Sequence, residues 1–423
     1  MLFLKIAIFH DFPPCGGKRA LFHFTEYLAK HGHVLDLYTL TSSDETFLPL
    51  AHFVRQTVTE EIRPMKLLPA CLPLVDQGRN VLQRLRYLEE VDRVHHRVAQ
   101  KIHTKSYDLA FVHNCGFTHV PNLLQHLKIP SVYYCAEPAR TLHEPQIQLK
   151  PIEHQAAISP KAQNIVSACL AKIDGLWYGL SEPIYQRAYR RNELANIRSA
   201  TQLLTNSYYS REVIYRTYGI FPKVTYLGVD TDHFCPIAGI KKENIILSVG
   251  RLEPSKQHHV VVESVGRISP RDRPSVVIIG SAKGKKAAYL DYIQKLAESL
   301  DVSVQILLSV SEEELIQWYN RVKAVVFIPV LEPFGFISLE AMACGTPLIG
   351  VKEGGIREVI VHETTGLFVE RDPRGIAEAI LRIFQDHALA ERLSRLGREY
   401  VCEQWTWEKS YQQLVKHFEF VLR

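Results

Sequence analysis

Between residues 244 and 386 the sequence alternates short runs rich in Val, Ile and Leu with amphipathic segments of helical length, and this alternation restricts the fold more than any other feature. A short apolar run without internal alternation is a strand buried on both faces, the situation created when helices cover both sides of a parallel sheet. Strands are predicted at 244–249, 275–279, 303–308, 324–328, 347–350 and 366–369, with helices near 257–268, 285–300, 311–321, 336–344 and 373–386. Ser311 followed by Glu314 has the spacing of a capping box, which fixes one helix start. The first half repeats the theme less regularly, with strands at 4–9, 34–40, 109–113, 131–135, 202–205 and 224–227 and long helical patterns at 80–103 and 160–198. Residues 228–239 have no periodicity and precede a fresh strand, so they read as a linker. The expected architecture is α/β, two Rossmann-like doubly wound domains, 1–235 and 236–406, with a final helix at about 407–423 returning to the first. Such sheets bind ligands beyond the carboxyl ends of their strands, and two facing sheets would share a cleft there.

Composition agrees with two domains: 423 residues, 46% hydrophobic and 22% charged, exclude disorder and fibrous folds. The net charge of +5 is too small for a dedicated nucleic-acid binder, and residues 1–200, with 23 basic against 18 acidic, hold all of it. The 8 Cys contain no C-x-x-C pair, which argues against zinc ribbons and redox motifs and for a reducing compartment. The apolar start runs into Asp11 after ten residues without a small-residue cleavage site, and no stretch of about 18 apolar residues occurs. The expected location is cytoplasmic, either free or peripheral at the membrane.

The segment from Pro329 to Pro347 is the most informative. A strand ends, Glu332 sits on the following loop, Gly335 allows close backbone approach, and a short helix carrying Glu340 runs to a Gly-x-Pro stop. A helix N-terminus there aims free N–H groups at an anion or a sugar hydroxyl. The alternative is an ordinary strand, turn and helix with two solvated glutamates. The run E-P-F-G-F-I-S-L-E-A-M-A-C-G-T-P resembles the E-x7-E signature of retaining nucleotide-sugar glycosyltransferases of family 4, which have the GT-B fold. Further matches are Gly250-Arg251 through Lys256, similar to the family's donor-phosphate motif, Gly354 to Glu358 with Thr365-Gly366, and Asn206-Ser207 with 228–234. Together they cover most of residues 200–410.

The resemblance implies that the first domain takes the acceptor and the second the donor. Arg251 and Lys256 would hold the donor diphosphate, Glu332 the transferred sugar's hydroxyls and Glu340 the ribose. Amides of Gly335 and Phe336 would face sugar or phosphate, with Gly250 and Phe334 beside them, and the base would be read by backbone near Leu308 and Val310. Two cations after a strand stabilise a diphosphate leaving group without a metal. Neither metal nor other cofactor is therefore expected, and Asp230-Thr-Asp232 reads as linker rather than as a D-x-D metal motif. In the first domain Gly17, in the Gly-Gly loop after strand one, would close over the ligands, with Lys18 and Arg19 adding charge.

One position departs from the family: Ala136 stands where many members carry a His near the reactive carbon. That leaves Glu137 and Arg140 as polar cleft candidates, and His113, at the preceding strand's end, as either an imidazole for the site or a structural hydrogen-bonder. The basic stretch from Arg79 to Lys105 is either a solvated helix face or a surface for anionic lipid beside a lipid-linked acceptor. The expected reaction is metal-independent, retaining hexose transfer from a nucleotide sugar to a glycan or lipid-linked hydroxyl. GDP-mannose is the first donor, from the resemblance around 135–140, and a UDP-hexose the second. Rival readings are a nucleotide-sugar epimerase of the same architecture and a silent sugar-nucleotide-binding subunit. A nicotinamide dehydrogenase is disfavoured because no G-x-G-x-x-G follows either first strand.

Overall fold

In the computed structural model, which describes residues 3–65, 73–139, 165–281 and 287–423, the chain forms two compact units. The first comprises residues 1–205, 211–224 and 411–423, and the second 206–210 and 225–410. The changeover at Val224/Thr225 precedes the expected boundary at 235, because Tyr226 and Gly228 already pack within the second unit. The Ser410 hydroxyl donates to the Tyr226 carbonyl, and Val229 bridges to Thr406.

The first unit is built on a seven-stranded sheet of order β3-β2-β1-β4-β5-β6-β7, with every pair parallel. Its strands are β1 Lys5–Asp11, β2 Val34–Leu40, β3 Gln56–Glu60, β4 Leu109–Cys115, β5 Ser131–Tyr134, β6 Gln202–Thr205 and β7 Lys223–Val224. All of β1 beyond Lys5 is buried, as apolar runs covered on both faces require. β3 was not expected from the sequence: Gln-Thr-Val-Thr-Glu is short and polar because it is an edge strand that pairs only with β2. The strand expected at 224–227 shortens to Lys223–Val224.

The second unit holds a six-stranded parallel sheet of order β10-β9-β8-β11-β12-β13. These strands are β8 Glu243–Val249, β9 Ser275–Gly280, β10 Val304–Leu308, β11 Val322–Phe327, β12 Leu348–Val351 and β13 Leu367–Val369. The capping box forms as expected: Ser311 accepts from the Glu314 amide, and Glu314 accepts from the Ser311 amide. In both sheets the strand order reverses beside the unit's first strand, between β1 and β4 and between β8 and β11. The loops leaving the carboxyl ends of these strands part there and open a crevice.

The last segment, Tyr411 to Arg423, completes the first unit's core. Tyr411 and Phe418 are buried; the Tyr411 ring stacks on His31 at 3.9 Å, and Phe418 meets Phe111 edge-on at 5.3 Å. Leu4 N–H donates to His33 Nδ1, so His33 Nε2 carries the proton and donates to the Tyr411 hydroxyl at 3.1 Å.

Candidate active site

The second unit's switch point carries the ion pair of Lys256 and Glu332, with Nζ and Oε2 2.6 Å apart and side chains only 14% and 21% exposed. Lys256 ends a short helical turn, Pro254–Lys256, after β8, and Glu332 lies on the loop after β11. The two loops are tied together, since the Val330 amide donates to the Ser255 carbonyl at 2.8 Å. Lys256 keeps two further N–H donors and Glu332 a second carboxylate oxygen, so the pair can meet a ligand of mixed charge without separating. Sequence reasoning gave the two side chains different parts of the ligand; the structure makes them partners of each other.

Arg251 is 62% exposed at the crevice edge and pairs with Glu253 at 3.0 Å. Its backbone is fixed by a residue that sequence reasoning missed. His258 is buried; its Nε2 faces the Arg251 carbonyl at 3.3 Å and must donate, so Nδ1 accepts from the Ser248 hydroxyl at 2.8 Å. Burial, chiefly, pushes this imidazole down to about 4, so it stays neutral. Gly280, also missed, ends β9 where a Cβ would overlap the Gly250 carbonyl, and Gly250 itself has φ +150°. Only a Gly-x-x boundary at a strand end could have signalled either contact, and that is too common to be read.

Gly335, at φ +98°, caps the Phe336–Ala343 helix, whose first amides therefore point along the loop that carries Glu332. Gly354 and Gly355 hold that loop from below: a Cβ on the first would strike the Glu332 carbonyl and on the second the Pro333 carbonyl, and Gly355 N–H donates to the Glu332 carbonyl at 2.7 Å. Arg371 clamps the end of β11 through the Ile328 and Pro329 carbonyls at 3.1 and 2.8 Å while pairing with Glu353 at 2.7 Å. The Ser207 hydroxyl donates to the Pro333 carbonyl, and the Glu358 carboxylate accepts from the Tyr208 and Tyr209 amides and the Tyr226 hydroxyl. Asn206-Ser207 and Gly354 to Glu358, separate motifs in the sequence, are thus one scaffold around the Pro333 loop.

Two residues expected at the ligand, Glu340 and Phe334, are buried. Glu340, 3% exposed, accepts from the Tyr319 hydroxyl at 2.8 Å, because the helix turns it inward rather than toward the loop. Phe334 is buried against Phe336 and Trp405, with ring centroids 5.4 and 5.8 Å apart. Leu308 is exposed and Val310 half-buried just beyond β10, so both are accessible on this unit's surface. Asp230 uses its carboxylate on its own turn, accepting from the Asp232 and His233 amides.

In the first unit Gly17 lies in the opening turn of the Gly16–Lys30 helix, where a Cβ would press on the Phe12 ring. Lys18 is not the accessible cation expected. It is fully buried, 2.5 Å from Glu45 Oε1 and 3.1 Å from His10 Nε2. Burial opposes ionisation of Glu45, but hydrogen bonds from His10 and Lys18 hold it down to about 2. His113 is enclosed by Phe111, Phe12 and Tyr134, and burial keeps its pKa well below the ordinary value; its Nε2 meets no hydrogen-bond partner among the described residues. Among the described residues, then, no structural hydrogen bond runs through Nε2. Glu137 is half-buried, and its carbonyl accepts from His119 Nε2 at 2.6 Å; Arg140 lies outside the described residues. The side chain of Arg79 lies outside them too. Arg84, Arg93, Arg97, Lys101 and Lys105 each face a carboxylate of the same unit, so these five meet their counter-charges internally, whereas Arg86 is exposed without an ion pair among the described residues. No helix among the described residues is long and apolar enough to cross a membrane.

Both units and the switch-point pair can now be set against known proteins. Residues 232–400 match the family described as Glycosyl transferases group 1. That segment contains Arg251, Lys256, Glu332, Gly335 and Glu340. An uncharacterized glycosyltransferase of Methanocaldococcus jannaschii is 28% identical over 62% of this chain and 70% of its own length. A D-inositol 3-phosphate glycosyltransferase of Streptomyces bingchenggensis is 28% identical over 50% of this chain and 51% of its own. Most of the curated relatives are thus matched over about half their length. Among solved structures, Anabaena HepE in complex with UDP superposes with a TM-score of 0.69 at 16% identity, covering 99% of this chain and 100% of that one. Sucrose-phosphate synthase from Thermosynechococcus elongatus gives 0.69 at 20% identity and 99% coverage of both. The fold is that of the GT-B glycosyltransferases.

Proposed function

We propose that the protein is a retaining, metal-independent glycosyltransferase that moves a hexose from a nucleoside diphosphate sugar to a hydroxyl of a glycan or lipid-linked acceptor. The observation that carries this reading is the Lys256–Glu332 pair at the switch point of a segment matching Glycosyl transferases group 1. As the anomeric C–O bond breaks, negative charge grows on the departing diphosphate. Lys256 and the amides opening the Phe336–Ala343 helix are oriented for it before the reaction, and Arg251 adds an exposed cation. Glu332 accepts hydroxyl hydrogen bonds and so orients the sugar. Retention rests on the family resemblance, as does GDP-mannose as first donor. The UDP-glucose complex of HepE keeps a UDP-hexose as second.

The test is a thermal-shift panel of GDP-mannose, UDP-glucose, UDP-GlcNAc, ADP-glucose, dTDP-sugars and NAD, without added metal, on wild type and Glu332→Ala. One nucleotide sugar should raise the Tm more than its bare nucleotide does, and Glu332→Ala should lose that increment. Stabilisation by NAD alone, or an increment that survives Glu332→Ala, overturns the reading.

A further inference from the structure

The amino ends of the second unit's strands border another concavity, of about 1260 Å3. Lys242, Lys323 and Pro347 line it immediately beside the starts of β8, β11 and β12, whereas Lys256 and Glu332 follow the carboxyl ends of β8 and β11. The two places are at opposite ends of the same strands. The groove's floor is apolar, from Ile240, Ile383 and Phe384.

Its charge is one-sided. Five Lys and Arg side chains line it against two carboxylates, Glu391 and Glu399. Glu399 is engaged by Arg395 at 3.1 Å. Lys323 lies 4.8 Å from the centre of the Phe384 ring. Lys242 and Arg398 hold only neutral partners. Lys242 Nζ donates to the Thr346 hydroxyl at 2.8 Å and the Tyr319 carbonyl at 3.2 Å. The Arg398 guanidinium donates to the carbonyls of Ala343, Phe234 and Thr231. No carboxylate lies within ion-pair distance of either among the described residues.

Lys242 is exposed and Arg398 half-buried in the same groove, so two cations without carboxylate partners are open to an anion supplied from outside. Packing around the ammonium pushes Lys242 down to about 8, although the residue as a whole is exposed. After their carbonyl and hydroxyl contacts, the ammonium retains one N–H and the guanidinium at least two. The volume exceeds what a phosphate ion needs and matches an elongated molecule, while the floor offers apolar contact along its length.

We propose that this groove is a second ligand site, for one amphiphilic anion whose phosphate-class head group lies on Lys242 and Arg398 and whose alkyl or aryl body lies on Ile240, Ile383 and Phe384. Calorimetric titration of the full chain with monomeric decyl phosphate tests it, with inorganic phosphate and decyltrimethylammonium as comparison probes. Decyl phosphate should bind with 1:1 stoichiometry, at least tenfold more tightly than inorganic phosphate, and Lys242→Met should weaken it at least tenfold. Equal binding of the two amphiphiles would mean apolar adsorption and overturn the proposal, as would wild-type affinity in Lys242→Met. Inorganic phosphate binding as tightly as decyl phosphate would also overturn it, leaving a plain anion site. Should Lys242→Met not fold, Phe384→Glu replaces it: Phe384 is half-buried, and a carboxylate on the floor should abolish decyl phosphate binding.

Discussion

Tyr319 and Glu340 show how one buried hydroxyl can keep an ionisable group in the core. Glu340 was expected at a ribose, yet it lies inside the second unit and receives the Tyr319 hydroxyl. Tyr319→Phe removes one of its donors and leaves the carboxylate less satisfied, which should cost about 1–3 kcal/mol in urea unfolding. Donor-induced thermal shifts should survive in this variant, since Glu340 acts on the core; their disappearance would return Glu340 to the ligand. The buried imidazoles give a second prediction. Burial pushes His95 down to about 3 and His258 to about 4, against an ordinary 6.5. Between those values and 6.5 the unfolded chain binds protons that the folded chain refuses, so stability is full above about pH 6.5 and declines as the pH falls toward 4. The urea midpoint should therefore drop between pH 7 and pH 4.5. Neither ring nitrogen of His95 has a partner among the described residues, so His95→Leu should flatten that decline. An unchanged slope would refute this account.

At the level of elements, the loop that bears Glu332 is held by packing against glycines rather than by its own conformation. In Gly355→Ala the new Cβ would run into the Pro333 carbonyl, so the loop bearing Glu332 must move. Overpacking of this kind costs about 1–3 kcal/mol, and the nucleotide-sugar increment in Tm should vanish with it even though no ligand group has been removed. Gly280→Ala should act likewise through the Gly250 carbonyl, displacing Arg251 rather than Glu332. The inner strands of the second sheet were legible because their apolar runs are largely buried, and the edge strand β10, only partly buried, was legible because Val-Gln-Ile-Leu-Leu is apolar all the same. β3 was not, since an edge strand needs no such run. The places of Lys256, Glu332 and Gly335 in the fold were legible because each sits within a few residues of a strand end or helix start. The burial of Lys18, Phe334 and Glu340 was not legible, for one reason: a motif fixes a residue's place on the chain, whereas the direction of its side chain is decided by elements it does not contain. His258 depends on such partners as well, meeting Ser248 across ten residues that carry no recognisable pattern.

Across the whole chain, the first unit is assembled from three separate segments, whereas nearly all of the second is continuous from Thr225 to Ser410. Ending the chain after Ser410 removes Tyr411, Leu414 and Phe418, all buried, and uncovers Phe111 and His31. Hydrogen exchange should then accelerate in β1 and β4 while β8 and β11 keep their protection. Equal acceleration in both sheets would show that the tail supports more than its own unit. The same connectivity sets an order of events on the ribosome. Most of the first unit precedes the second on the chain, yet its core cannot close until residues 411–423 have left the exit tunnel, so the part of the sequence made second is the first able to finish folding. For the interval between, the newborn chain carries a finished domain downstream of an unfinished one. The aromatic surface that Tyr411 and Phe418 will later cover is then the surface a chaperone would have to guard.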